Sequence, residues 1–145
     1  MTVAVEDIAD AIVAALTDEG NAAEFPEAFT ANWDYVIDKP YTAYTTDPEV
    51  AIIPAAETND DENRAEDRFD FELGIVVIRK VENSAKATVQ PLLNLPRAIR
   101  DFLKKQSMAG CERGNVSIVT LFGTEELRED ATLVSVISAK YWIDQ

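Results

Sequence analysis

The stretch that decides the fold is RFDFELGIVVIRKV, residues 68–81. Its apolar side chains recur at every second position, at Phe69, Phe71, Leu73, Ile75 and Val77, while Asp70, Glu72 and Lys80 fall on the opposite face. Because successive side chains of a strand point to opposite faces of a sheet, this alternation predicts a long strand with one buried face. The polar residues of its first half indicate that the other face is open there to solvent or to a partner.

Two amphipathic helices are predicted on either side of this strand. In the helix predicted at residues 7–16, Ile8, Ile12 and Leu16 share one face, which Val5 extends just before the helix. Gly20 is expected to end the helix. The second helix is expected to start at Asn94 as its cap, with Pro96 in the first turn, and to end before Gly110. Its inward side chains are Ile99, Phe102 and Leu103.

Four shorter strands complete the prediction, at residues 29–37, 49–56, 115–122 and 131–143. The last two are expected to form a closing antiparallel pair joined by an acidic turn at 123–130. Most connections between strands are too short for crossover helices, which favours antiparallel pairing. The prediction is therefore one α+β domain over residues 1–145, with an antiparallel sheet of four to five strands and two helices packed on one face.

Residues 57–67, ETNDDENRAED, have no hydrophobic periodicity and repel one another, which predicts an exposed acidic loop. Its acids are Glu57, Asp60, Asp61, Glu62, Glu66 and Asp67. Asn59, Asp61, Asn63 and Asp70 have the spacing of calcium ligands in an EF-hand. Arg64 stands at the position that requires glycine, and no helices are predicted to flank the loop, so a solvated loop is favoured over a calcium site.

The charge is divided unevenly along the chain. Residues 1–82 hold twenty of the 27 acidic and five of the 13 basic residues, whereas residues 83–145 are nearly neutral. In PRAIRDFLKK, Arg97, Arg100 and Lys104 recur at helical spacing and form one cationic stripe. This stripe is either an ordinary solvated helix face or a surface that meets the acidic flank of a neighbouring copy. A formal charge of −14 argues against binding to nucleic-acid backbones or anionic lipid.

The inventory of reactive groups is poor. The chain has no histidine, which removes the commonest general base and metal ligand, and Cys111 has no base beside it in the sequence. The glycines match no phosphate-binding loop. Trp33, Tyr35, Tyr41 and Tyr44 suit a core or subunit contact better than a ligand platform. We therefore expect no catalytic residues, no metal or cofactor, and no enzyme activity.

The location of the protein is suggested by what the sequence lacks. A single cysteine excludes an intrachain disulfide and suits a reducing compartment such as a cytoplasm. The N-terminus lacks the basic start of a signal peptide, and no apolar run approaches the ~20 residues that span a bilayer. We expect no association with a membrane.

Taken in order, DIADAIVAAL, EVAIIPAA, the acidic loop with Arg64, FELGIVVIRKV, LPRAIRDFLKK and LVSVISAKYWI resemble the tail terminator, or tail completion, proteins of long-tailed bacteriophages. The resemblance covers most of the chain through apolar spacing, without an invariant signature. It implies an α+β protomer that forms a ring, expected to be a hexamer, on the end of the tail tube. Such a ring stops the polymerisation of the tube protein and offers its other face to a head-neck connector or stopper protein.

On this resemblance the protein would be assembled in the bacterial cytoplasm and reside in the virion at the tail neck, with DNA passing through without specific binding. Arg97, Arg100 and Lys104 would contact a neighbouring protomer or the tube, and the 57–67 loop would face the lumen or a partner. Three alternatives stay open: another neck component, an acidic binding module that mimics DNA, and a carboxylate enzyme that uses magnesium.

Overall fold

The structure is a computed structural model that describes residues 3–60 and 68–144, with only the backbone of Asp60. Four α-helices are present in this part of the chain: α1 Val5–Thr17, α2 Lys86–Leu92, α3 Asn94–Leu103 and α4 Thr124–Asp130. Five strands form one sheet: β1 Thr30–Trp33, β2 Glu49–Asp60, β3 Arg68–Lys80, β4 Glu112–Thr120 and β5 Thr132–Asp144. Short 3₁₀ turns occur at Glu19–Glu24 and Tyr41–Ala43. The predicted α+β class is confirmed.

The sheet has the order β1-β2-β3-β5-β4, so β1 and β4 are its two edges. The long alternating strand β3 lies at the centre, antiparallel to β2 on one side and to β5 on the other. Strand β4 pairs antiparallel with β5, which confirms the closing pair.

The expectation of a wholly antiparallel sheet was wrong at one edge, because β1 runs parallel to β2. A parallel pair needs a crossover of about a dozen residues or more, and residues 34–48 supply that length without a helix of their own. This segment also begins earlier than predicted, since β1 ends at Trp33 and residues 34–37 lie outside it.

The main core lies between one face of the sheet and two helices. From the helices it receives Ile8, Ile12 and Leu16 of α1 and Leu95, Ile99, Phe102 and Leu103 of α3. From the central strands it receives Phe71, Leu73, Ile75, Ile137, Ala139 and Tyr141. Because α1 and α3 enter the same buried cluster, they pack on the same face, as expected.

Helices α2 and α4 were not predicted. Residues 123–130 were expected to form a turn, but Glu125 and Glu126 lie in the first turn of α4 and Arg128 in its last, an arrangement that complements the helix dipole. A second, smaller cluster joins Val89 and Leu93 to Val81 and Leu133, with Leu127 packed against it. In α3, Asn94 is the first helical residue and Leu93 the cap, one position earlier than expected.

The first four residues of the predicted acidic loop are part of a strand. Residues 57–60 belong to β2, where they pair with Arg68 to Phe71 of β3. Glu57 also accepts a hydrogen bond from the backbone N–H of Val5, at 2.9 Å, and so satisfies a free donor at the start of α1. The acids Asp61, Glu62, Glu66 and Asp67, together with Asn63 and Arg64, lie outside the described residues.

Candidate assembly surfaces

Helices α1 and α3 pack near opposite edges of the sheet. Helix α1 contacts β1 and β2, whereas α3 contacts β4 and β5. The acid-rich first helix and the basic third helix therefore lie towards opposite edges of one sheet. We call these the β1 edge and the β4 edge.

The cationic stripe predicted on α3 is present but modified by its neighbours. Arg97 and Arg100 are half-buried, and Lys104, just past the helix end, is exposed. The Nε of Arg100 donates a hydrogen bond of 2.9 Å to Oδ1 of Asp101. That hydrogen bond, with the nearby cations, holds the pKa of Asp101 below its usual value. The charge of Arg100 is thus partly matched within its own protomer.

A fourth base, Arg113, lies beside the stripe at its Lys104 end. Lys104 and Arg113, both exposed, line the same shallow groove with Gly114 and Asn115 of the edge strand. Arg113 was not assigned to the stripe, since it follows Cys111 in a different element and nothing in the sequence places it beside Lys104. We call Lys104 and Arg113 the basic corner of the β4 edge.

The β1 edge carries carboxylates held by aromatic side chains. Nε1 of Trp33 donates to Oδ1 of Asp10 at 2.7 Å, and the hydroxyl of Tyr35 donates to Oε2 of Glu6 at 3.4 Å. The rings of Trp33 and Tyr35 meet edge to face, with centroids 5.3 Å apart. These contacts connect α1 to the end of β1 and keep the acids at this edge.

Among the described residues, most of the large apolar side chains that are exposed lie near the same two edges, whereas Ile37 lines a groove with Val76, Ile78 and Val134 of the interior strands. Tyr35, Val36 and Ile37 follow directly after β1 and are 59%, 64% and 39% exposed. Val119 in β4 is 65% exposed, and Phe122, just past its end, is 42% exposed. An apolar side chain left in water at a sheet edge is typical of a contact surface when others accompany it. The β1 edge therefore combines apolar side chains with acids. The β4 edge combines them with the bases Lys104 and Arg113 at its N-terminal end, beside the exposed Glu112, and with the acids of α4 beyond its C-terminal end.

The other predicted aromatic residues serve the fold. Phe25 packs edge to face on both Phe29 and Phe102, at 5.1 and 5.3 Å between ring centroids. Tyr44 is 6% exposed, and the Nζ of Lys39 lies 4.4 Å from its ring centroid. Of this aromatic stretch, Tyr35 remains available to a partner.

The segment that contains β1, from Glu27 to Thr46, is anchored by Arg79 through contacts that the sequence did not reveal. Nη1 of Arg79 donates to Oε1 of Glu27 at 2.6 Å, and Nη2 donates to the carbonyl oxygen of Thr46 at 2.8 Å. The side chains of Arg79 and Glu27 are only 11% and 29% exposed. These contacts span both ends of the segment that contains β1, and so they position the β1 edge.

The described residues contain little that suits a reaction. Cys111 is buried, and burial raises the pKa of its thiol, which suppresses the reactive thiolate. Within residues 3–60 and 68–144, no three acidic or cysteine side chains converge as metal ligands would. In the same residues, no helix has the length and apolar character needed to cross a bilayer.

Comparison with known proteins gives no assignment. No protein-family model matches the chain, and no curated protein matches it significantly.

Proposed function

We propose that this protein is a structural subunit of a long-tailed phage virion, which forms a ring on the end of the tail tube, ends tube growth and joins the tail to the head-neck proteins. The single observation that carries the proposal is that exposed apolar side chains lie near both edges of one sheet, beside acids at the β1 edge and beside the bases Lys104 and Arg113 at the β4 edge. A chain with two such surfaces associates head to tail, and head-to-tail contacts close into rings when the rotation between copies allows.

The electrostatics support a role around DNA. A conduit for a genome has to avoid binding phosphates, and a protein with a formal charge of −14 repels them. Of the cations on α3, Arg100 is paired with Asp101 and Arg97 is half-buried, while Lys104 lies beside Arg113 at the β4 edge; this arrangement supports contacts between proteins.

The test is assembly of the tail-tube subunit from the virus that encodes this chain, with and without the chain present. Negative-stain images are expected to show tubes that stop growing and carry a ring at one end. Tubes that grow to the same length and end without a ring in both samples would overturn the proposal.

One alternative is favoured by a specific observation. The acids of α1 and the high negative charge also suit a module that occupies a basic nucleic-acid-binding protein. Such a module has no use for apolar side chains on the edge opposite its acids. Substitution of Val119 and Phe122 by serine is therefore expected to abolish tube capping, whereas a DNA mimic would keep its binding to a basic partner.

A further inference from the structure

We infer that the two sheet edges are the two halves of one contact between copies of this chain: the β1 edge of one copy, with Tyr35 and Val36, docks on the β4 edge of the next, with Val119 and Phe122. This inference deepens the proposed function and rests on it for the biological role. The occupant of each edge is a second copy, because the two surfaces complement each other in both polarity and charge.

The apolar side chains of the two edges lie at the same height along the strands. Val119 is flanked in β4 by Ile118 and Thr120, whose ladder partners in β5 are Ile137 and Val136. The same rows continue through β3 and β2 to Trp33 and Asn32 of β1. Val119 is therefore level with the end of β1, directly before Tyr35 and Val36.

The opposite charges lie four residues further along β5, in the row that contains Tyr141. Arg113 pairs with Tyr141, which pairs with Phe71, which pairs with Glu57. Glu57 holds the N-terminus of α1, so this row ends at the first turn, where Glu6 and Asp7 lie. The basic corner on one edge is thus level with the acids on the other.

These two matches fix how neighbouring copies are related. If copies lie side by side with their strands aligned, the apolar groups and the opposite charges meet at the same time. The acidic helix α4 follows the C-terminal end of β4. The favourable charge contact is therefore confined to the N-terminal end of β4, where Arg113 lies. A rotation about an axis along the strands satisfies both contacts and can close a ring.

The experiment is disulfide crosslinking between Val36→Cys and Val119→Cys placed in one chain. Both side chains are highly exposed, so folding is expected to tolerate the changes. The edge strands themselves are four strand spacings, roughly 19 Å, apart in the sheet. Val36 lies beyond the end of β1, so a mixture of the two single variants, which cannot form a disulfide within one chain, is the sample that reports the contact between copies by itself. The native Cys111 is 1% exposed and gives the same low background in every sample.

The double variant is expected to give a covalent ladder of oligomers on oxidation, either alone or on tail tubes. Each single variant is the matched control and is expected to stay monomeric, while a mixture of the two singles yields dimers only. A single variant that dimerises by itself would indicate a two-fold contact and overturn the inference. So would a double variant that forms no ladder under either condition.

Charge reversal supplies an independent measurement. Lys104→Glu with Arg113→Glu is expected to abolish the ladder in low salt and to leave the fold intact, because both side chains are exposed. Lys86→Glu with Arg128→Glu changes the net charge equally, away from the corner, and is expected to leave the ladder intact. If the Lys104/Arg113 variant still forms the ladder, these two bases do not take part in the contact.

The outcomes separate the inference from the proposed function. A ladder from a protein that does not cap tubes would retain the edge contact and overturn the tail role. A double variant that caps tubes but never crosslinks would retain the tail role and overturn the edge contact.

Discussion

Replacement of Tyr141 by phenylalanine is expected to stabilise the protein. Tyr141 is 1% exposed in the main core, and its hydroxyl has no hydrogen-bond partner among the described residues. A buried polar group without a partner loses its hydration without compensation, at a cost of about 1–3 kcal/mol. Tyr141→Phe removes the hydroxyl and keeps the ring, so we expect a gain of about 1 kcal/mol, or roughly 3 °C in Tm for a domain of this size.

The same hydroxyl makes the protein sensitive to alkali. Burial, with a smaller contribution from Cys111, raises the pKa of Tyr141 well above its ordinary value of 10.0. In the unfolded chain the phenol loses its proton near that ordinary value, while the folded protein retains it. The unfolded state then binds fewer protons, so stability falls as pH rises above about 10, by about 1.4 kcal/mol per pH unit for this one group.

The assay is urea unfolding of both proteins at neutral pH and at about pH 11, where the unfolded phenol is mostly ionised. The advantage of Tyr141→Phe is expected to grow at the higher pH. Tyr35→Phe is the matched control, since Tyr35 is exposed and its substitution is expected to change stability little. A loss of more than about 1 kcal/mol at neutral pH, the size of an ordinary hydrogen bond, would refute the reasoning because the hydroxyl would then have a partner.

Three further changes test other features of the fold. Arg79→Met removes the cation from half-buried Glu27 and the donor from the Thr46 carbonyl, and it is expected to cost about 1–3 kcal/mol in chemical unfolding. Glu27→Gln should cost less in that background than in the native protein, and equal costs would show that the pair is not coupled. Ala131→Gly is expected to raise the free energy of unfolding by about 1 kcal/mol, because Ala131 has a φ of 50° in the left-handed region after α4. Ala14→Gly, on the exposed face of α1, is the control and should lower the free energy of unfolding by a similar amount. Native Cys111 is expected to react with a thiol reagent far more slowly than the unfolded protein does, and equal rates would contradict its burial.

The sequence predicted the elements whose patterns are local. The alternation from Phe69 to Val77 identified β3, and the helical spacing of Ile8, Ile12 and Leu16 identified α1, because each pattern records burial of one face. The parallel placement of β1 left no such record, because alternation reports which face of a strand is buried and not the direction in which the strand runs. The extension of β2 past residue 56 depends on ladder pairing with β3, which overrides the low strand propensity of its acids.

The candidate surfaces were only partly predictable. The spacing of Arg97, Arg100 and Lys104 gave the stripe on α3, but the pairing of Arg100 with Asp101 and the approach of Arg113 depend on tertiary structure. Val119 sits in a strand that was predicted, yet its exposure follows from the place of β4 at the sheet edge. Edge position is set by strand order, which no local pattern records.

The balance of forces at the edges explains why such a protein would form a ring on a template. Exposed ion pairs contribute about 0–1 kcal/mol each, and copies that all carry the same negative charge repel one another. Association also costs at least about 4 kcal/mol in lost freedom of motion. The apolar groups at one pair of edges are few, so a single contact between two copies is weak. In a closed ring every copy makes two such contacts, and a tube end that holds the copies side by side raises their effective concentration. Under the proposed function the charges would select the register, while the apolar groups and the template would supply the affinity.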